Sequence, residues 1–175
     1  MDLCVVSAGT GDLNPGLDYA LEEPAIRTNV VGWTAAVDWA YGRFEERGGG
    51  HLVVITSVGG LRGGGAAPAY NASKAYQINY AEGLRQRAAK SGLPLPVTDI
   101  RPGFVATALL DDGRRYQMLM RPERVAAQIV KALERGRRRT VIDRRYALMV
   151  FGWRLIPEWL WERLPIRNRR RTTLR

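Results

Sequence analysis

Four short runs rich in apolar and β-branched residues constrain this 175-residue chain most: "LCVV" (3–6), "HLVVITS" (51–57), "VTDI" (97–100) and "TVID" (140–143). The first three end at turns built from small residues, glycine or proline. Between the runs, apolar residues recur at helical spacing. One such stretch runs from Leu21 to about Arg47 through Ile26, Val30, Trp33, Val37 and Ala40, and "RGGG" stops it. A second covers 68–90, opened by Pro68 and closed by "SGLPLP", and a third covers 122–135 with Pro122 near its start. Strands alternating with helices predict an α/β fold with a parallel sheet, and continuous apolar strands fit a sheet covered on both faces. In such sheets the chemistry gathers beyond the carboxyl ends of the strands, where "SAGTG", "SVGG" and "RPGFVAT" fall.

Composition bears on partners and compartment. The formal charge of +10 suggests nucleic-acid binding until it is located. Residues 1–134 carry 14 basic and 14 acidic residues, so the excess lies in the last 41, with 13 arginines against Asp143, Glu158 and Glu162. A charge that local is a property of the tail, and no nucleic-acid partner is expected. The single cysteine, Cys4, permits no internal disulfide and suits a reducing cytosol. No apolar run approaches the roughly 18 residues of a spanning helix, and the start has no signal-peptide pattern. No His/Cys/Asp/Glu cluster has metal-ligand spacing, and His51 at a strand start is expected to hydrogen-bond rather than catalyse.

The chemistry-bearing stretch is "APAYNASKAYQINYAEGLRQRA" (67–88). Tyr70 and Lys74 stand four apart, sharing one helix face about one turn apart. An ammonium near a phenol favours the phenolate and lowers its pKa, which suits a tyrosine to acid/base work near neutrality. Such a pair alone is common on solvated helices. Ser57 lies 13 residues earlier, just past a buried strand, and Asn29 sits inside the first long helix, where asparagine is mildly unfavourable.

Together these residues resemble the short-chain dehydrogenase/reductase family: "NVVG" at Asn29, "VVITS" ending in Ser57, "YNASK" from Tyr70 to Lys74, and "RPGFVAT" after the third strand. The likeness runs from Asp2 to about Arg145 and implies a Rossmann-type doubly wound parallel sheet as one domain over 1–145. A C-terminal helical segment, apolar and then basic, follows over 146–175. The activity implied is NAD(P)-dependent interconversion of an alcohol and a carbonyl, with NADP slightly favoured over NAD. Tyr70 would exchange the proton with the substrate oxygen, and Lys74 would lower the Tyr70 pKa and bond the nicotinamide ribose. Ser57 would hydrogen-bond the substrate carbonyl or hydroxyl. Asn29 would hold a water in the proton relay behind Lys74. Ala8 and Gly9 would line the adenosine side, and Pro102, Gly103, Val105 and Thr107 would embrace the nicotinamide.

Two departures stand against the resemblance. Val6 and Ser7 replace asparagines usual in the turn after the first strand. The family's opening strand, glycine-rich turn and helix are not found before Asp2, so the sheet is expected to be incomplete, lacking the first βαβ units. A fragment of a longer enzyme, a misassigned start, and a short interaction module without catalysis are the open explanations.

The segment "YALMVFGWRLIPEWLWERLPIRNRRR" (146–171) joins tryptophans to arginines. It is expected to close the substrate pocket or form a subunit interface, with peripheral membrane contact as the alternative. Asp111, Asp112, Arg114 and Arg115 fall where the family often has a mobile substrate lid. A small alcohol or carbonyl substrate of hydrophobic character, a homo-oligomer and a cytoplasmic setting complete the expectation.

Overall fold

The four runs become four strands of a single parallel sheet, β1 (Leu3–Val6), β2 (His51–Ile55), β3 (Val97–Arg101) and β4 (Arg139–Val141), in the spatial order β1-β2-β3-β4. The register pairs Val6 with Val54, Ile55 with Ile100, and Arg101 with Val141, so all four carboxyl ends point to one edge. The computed structural model describes residues 1–110 and 116–164. The lid residues Asp111, Asp112, Arg114 and Arg115, and the basic end from residue 165 onward, lie outside the described residues.

Period-two alternation along the strands divides the core between the two faces. Leu52, Val54 and Val97 pack with Trp33, Val37, Phe44, Ala81 and Leu84, which come from α2 (Trp33–Glu46) and α3 (Pro68–Ser91). Val53 and Ile100 pack the other way, against Val125 and Ala132 of α4 (Pro122–Glu134) and Tyr146 and Val150 of α5 (Arg144–Leu155). Helices on both faces of a parallel sheet are the doubly wound architecture expected from the sequence. Leu3 and Val5 of the edge strand β1 remain nearly half exposed.

Three elements differ from their expected outlines. The helix expected over 21–47 divides into α1 (Tyr19–Ile26), a π-helical segment (Arg27–Gly32) and α2. The wide turn falls around Asn29, whose side chain is held by neighbours outside its own helix. β2 stops at Ile55 because Ser57 caps the short 3₁₀ turn Val58–Leu61, its Oγ accepting from Gly59 N at 3.0 Å. β4 stops at Val141, and Asp143 caps α5 instead of extending the strand. Its carboxylate accepts from Arg145 N at 2.9 Å, and a short helix α6 (Glu158–Trp161) follows α5. His51 takes the expected hydrogen-bonding part, its Nε2 lying 2.9 Å from Thr98 Oγ1. Among the described residues no helix is long and apolar enough to cross a membrane.

Candidate active site

The loops that leave β1, β2 and β3 meet at the carboxyl edge of the sheet, and α3 runs past them. α3 opens at Pro68, whose missing N–H costs nothing in a first turn, and closes at Gly92, which adopts the left-handed conformation at φ 69°. Its buried face carries Ser73, Lys74, Gln77, Ala81, Leu84, Arg85 and Ala88. Helical spacing therefore delivers Lys74 to the inside, with Tyr70 one turn earlier and partly buried.

Ser57, Tyr70 and Lys74 come together. The Ser57 hydroxyl lies 3.5 Å from the Pro102 carbonyl and close enough to the Tyr70 phenol to favour its ionised form. Lys74 Nζ lies 5.9 Å from the centre of the Tyr70 ring. It donates to Gln77 Oε1 at 2.9 Å and more weakly to the Ile55 carbonyl at 3.4 Å. Glycines clear the space. A Cβ on Gly11 would stand 2.3 Å from Tyr70 Cδ2, and one on Gly9 would stand 2.9 Å from Lys74 Nζ. A Cβ on Gly60 would collide with the Lys74 backbone.

The electrostatics differ from expectation in one respect. Lys74 was expected to lower the Tyr70 pKa, but burial raises it, and only the Ser57 hydrogen bond pulls the other way. The reason is the same low-polarity surrounding that lowers Lys74 itself to about 8. Part of the Tyr70 surface still reaches solvent, so crowding around the phenol, rather than complete enclosure, raises its pKa.

Asn29 is fully buried and joins the cluster from the π segment. Its Oδ1 accepts from Thr10 N at 2.8 Å, and its Nδ2 donates to Thr10 O at 2.6 Å and Ser73 Oγ at 2.9 Å. The side chain thus fastens the loop after β1 to α3. Its main-chain carbonyl accepts from Gln77 Nε2 at 2.9 Å, and Gln77 in turn meets Lys74.

Of the remaining candidates, Gly9 approaches Lys74 and the Pro102 carbonyl meets Ser57. Ala8 and Gly9 are exposed at the end of β1, and Pro102 is buried at the end of β3. Gly103 packs flat on Tyr146, where a Cβ would come within 2.1 Å of Cζ. Val105 forms a parallel bridge to Met120, and the exposed Thr107 hydroxyl donates to the Val105 carbonyl at 3.4 Å. Sequence reasoning missed Thr10, Gly11 and Gln77. Gln77 had a signal: a polar residue at i+3 from Lys74 on a face that continues as core.

The C-terminal segment reaches the same neighbourhood. Arg62, in the glycine-rich loop after Ser57, donates to the Ile156 carbonyl at 2.6 Å and lies 4.8 Å over the Trp161 ring. Trp161 Nε1 donates to Gly63 O at 2.8 Å, and Trp153 meets Trp161 edge-on at 5.2 Å. A concavity of about 830 Å³ lies between Arg135 and Arg139, where β4 begins, and holds none of these residues.

The sequence profile of the short chain dehydrogenase family matches residues 1–117, with Asn29, Ser57, Tyr70 and Lys74 all inside the match. The chain belongs to the short-chain dehydrogenases. Relatives of this short-chain dehydrogenase include an uncharacterized oxidoreductase of Mycobacterium tuberculosis, 31% identical over 85% of this chain and 59% of that one. Another, an uncharacterized oxidoreductase of Myxococcus xanthus, is 37% identical over 62% of this chain and 43% of its own length. The chain therefore spans about half the length of the curated relatives it matches. Among solved structures, a short chain dehydrogenase from Burkholderia cenocepacia in complex with NADP superposes with a TM-score of 0.80 at 19% identity, over 95% of this chain and 70% of the other. A short-chain dehydrogenase from Sphingobium yanoikuyae in complex with NADPH gives 0.71 at 18% identity, over 94% and 66%. At such identities the likeness is one of fold.

Proposed function

We propose that this short-chain dehydrogenase interconverts an alcohol and a carbonyl with NAD or NADP, Tyr70 serving as acid and base. The observation that carries the proposal is the meeting of Ser57, Tyr70 and Lys74 at the carboxyl edge of a parallel sheet. The chain's residues fit a dinucleotide: Ala8 and Gly9 leave the end of β1 open, and Gly9 clears a path to Lys74 Nζ that a Cβ would fill. Ala8 and Gly9 would hold its adenosine side, Lys74 a ribose hydroxyl, and Pro102, Gly103, Val105 and Thr107 the nicotinamide end. When bound, the cofactor supplies or accepts the hydride. NADP is slightly favoured, in keeping with the NADP and NADPH bound by the two relatives above.

The protein's share is proton management. Tyr70 gives its proton to the substrate oxygen during reduction and takes it back during oxidation. Its raised pKa keeps it protonated at neutral pH, suiting the reductive direction. Ser57 donates to the same oxygen and stabilises charge developing there, a contribution of a few kcal/mol in comparable sites. The positive charge of Lys74 favours the phenolate that forms in turn. Residues 146–175 would close the substrate pocket beyond a domain over 1–145, and their tryptophans favour a small substrate of apolar character. A cytoplasmic homo-oligomer is part of the same proposal.

The test is turnover by the purified protein, followed by NAD(P)H absorbance over a panel of ketones and aldehydes. Tyr70→Phe is expected to lower kcat/KM at least ~100-fold with the fold retained. Equal turnover by Tyr70→Phe would defeat the assignment. The second reading, an interaction or membrane-associated module without catalysis, rests on the exposed stripe of Leu148, Phe151, Leu155 and Trp159. Association with a partner or with vesicles, lost on Phe151→Glu in protein that shows no turnover, would favour it.

A further inference from the structure

We propose that Gln77 is a positioning residue that holds the Lys74 ammonium beside Tyr70, its amide bridging Lys74 to the main-chain carbonyl of Asn29. The proposal rests on the reading of Tyr70 and Lys74 as an acid/base pair. Gln77 lies one turn beyond Lys74 on the same buried face of α3 and has no exposed surface. A buried amide is costly unless both of its ends are satisfied. Here both are, at 2.9 Å each, by Lys74 Nζ and the Asn29 carbonyl.

The chemistry of the partners fixes the orientation of the amide. An ammonium offers only donors and a carbonyl only lone pairs, so Oε1 must face Lys74 and Nε2 must face Asn29. Two of the three Lys74 donors are thereby committed, to Gln77 and to the Ile55 carbonyl, and the third is left for the space beside Gly9 and Tyr70. The Asn29 carbonyl belongs to the π segment and accepts this bond from another element. The cluster is closed from both sides: the Asn29 side chain ties α3 to the loop after β1, and the Asn29 backbone ties the same segment to Gln77.

The consequence is electrostatic. Lys74 sits where burial opposes its charge, and the acceptor that most directly favours the ammonium is Gln77 Oε1. The groups facing Lys74 from other elements, the Ile55 carbonyl from β2 and Gly9 from the loop after β1, are neutral. On its own helix only Tyr70 can titrate beside it. An amide neither takes up nor releases a proton near neutrality, so this link fixes the charge without conducting protons through the core.

The chain has three lysines, Lys74, Lys90 and Lys131, so protein labelled with ¹³C,¹⁵N-lysine gives a spectrum in which each side chain can be titrated separately. Lys74→Met assigns the Lys74 signal. Gln77→Met fills the same space without the acceptor and is expected to lower the Lys74 midpoint by about one pH unit. Gln77→Glu keeps an acceptor and adds negative charge, and is expected to raise the midpoint by about as much. An unchanged midpoint in both variants, or movement of both in the same direction, would show a space-filling role and overturn the proposal. Should Gln77→Met not fold, the direction of the Gln77→Glu shift decides alone. Opposite shifts in protein that shows no turnover before mutation would remove the oxidoreductase reading and leave the positioning role in place.

Discussion

Lys74 is 4% exposed, and burial lowers its pKa from 10.5 to about 8. This depression has a thermodynamic sign. Between pH 8 and 10.5 the unfolded chain binds the Lys74 proton and the folded chain releases it, so stability rises with pH across that window. The full difference is about 3 kcal/mol. Near pH 10 the tyrosines work oppositely, because Tyr70, Tyr80 and Tyr146 hold their protons longer when folded. Lys74→Met is expected to unfold at higher denaturant than the unmodified protein at pH 7, with the gap narrowing by pH 9.5. Parallel pH dependence in the two proteins would contradict a charged, buried Lys74. Tyr70, Lys74 and Ser57 were legible in the sequence because "VVITS" and "YNASK" together resemble the motifs of the short-chain dehydrogenase/reductase family, whereas the helical spacing of Tyr70 and Lys74 is common by itself. Thr10 and Gly11 were not, since their roles arise from a loop folding back onto α3, a contact that no local pattern encodes.

Among the elements, α5 matters beyond its own packing. Its cap, Asp143, stands at φ 74°, a conformation that costs a non-glycine residue, and its carboxylate accepts from both the backbone and the guanidinium of Arg145. One turn on, the Tyr146 hydroxyl accepts from Phe104 N at 3.0 Å and donates toward the carbonyls of Gln117 and Met118. The helix thus holds the loop after β3 that carries Gly103 and Val105. Asp143→Ala is expected to cost about 1–2 kcal/mol of stability, measured by denaturant unfolding, and Asp143→Asn much less because the amide oxygen can still cap. Equal losses from both would show that the cap is not the source. The strands could be read from their β-branched runs. The π segment could not, because moving hydrogen bonds by one residue leaves the apolar spacing of Ile26, Val30, Trp33 and Val37 intact.

Over the whole molecule, the two-faced sheet was readable from alternation of strand and helix. The apolar surface left exposed among the described residues could be seen only in three dimensions. Leu148, Phe151 and Leu155 project from α5 with 73%, 62% and 70% of their area exposed, while Tyr146 and Val150 of the same helix face the core. Apolar area arranged this way favours association. The expected outcome is self-association through this stripe, seen as a sedimentation coefficient above that of a monomer and lowered by Phe151→Glu. A monomer that instead pellets with anionic vesicles would assign the stripe to membrane contact.

The bonds from Arg62 to Ile156 and from Trp161 to Gly63 join parts of the chain 94 and 98 residues apart. The two stretches therefore form one coupled unit: redesigning the glycine-rich stretch without its tryptophan counterpart disturbs both. Substitutions tolerated singly on either side should fail to combine additively in stability, since each stretch supplies the other's hydrogen-bond partners.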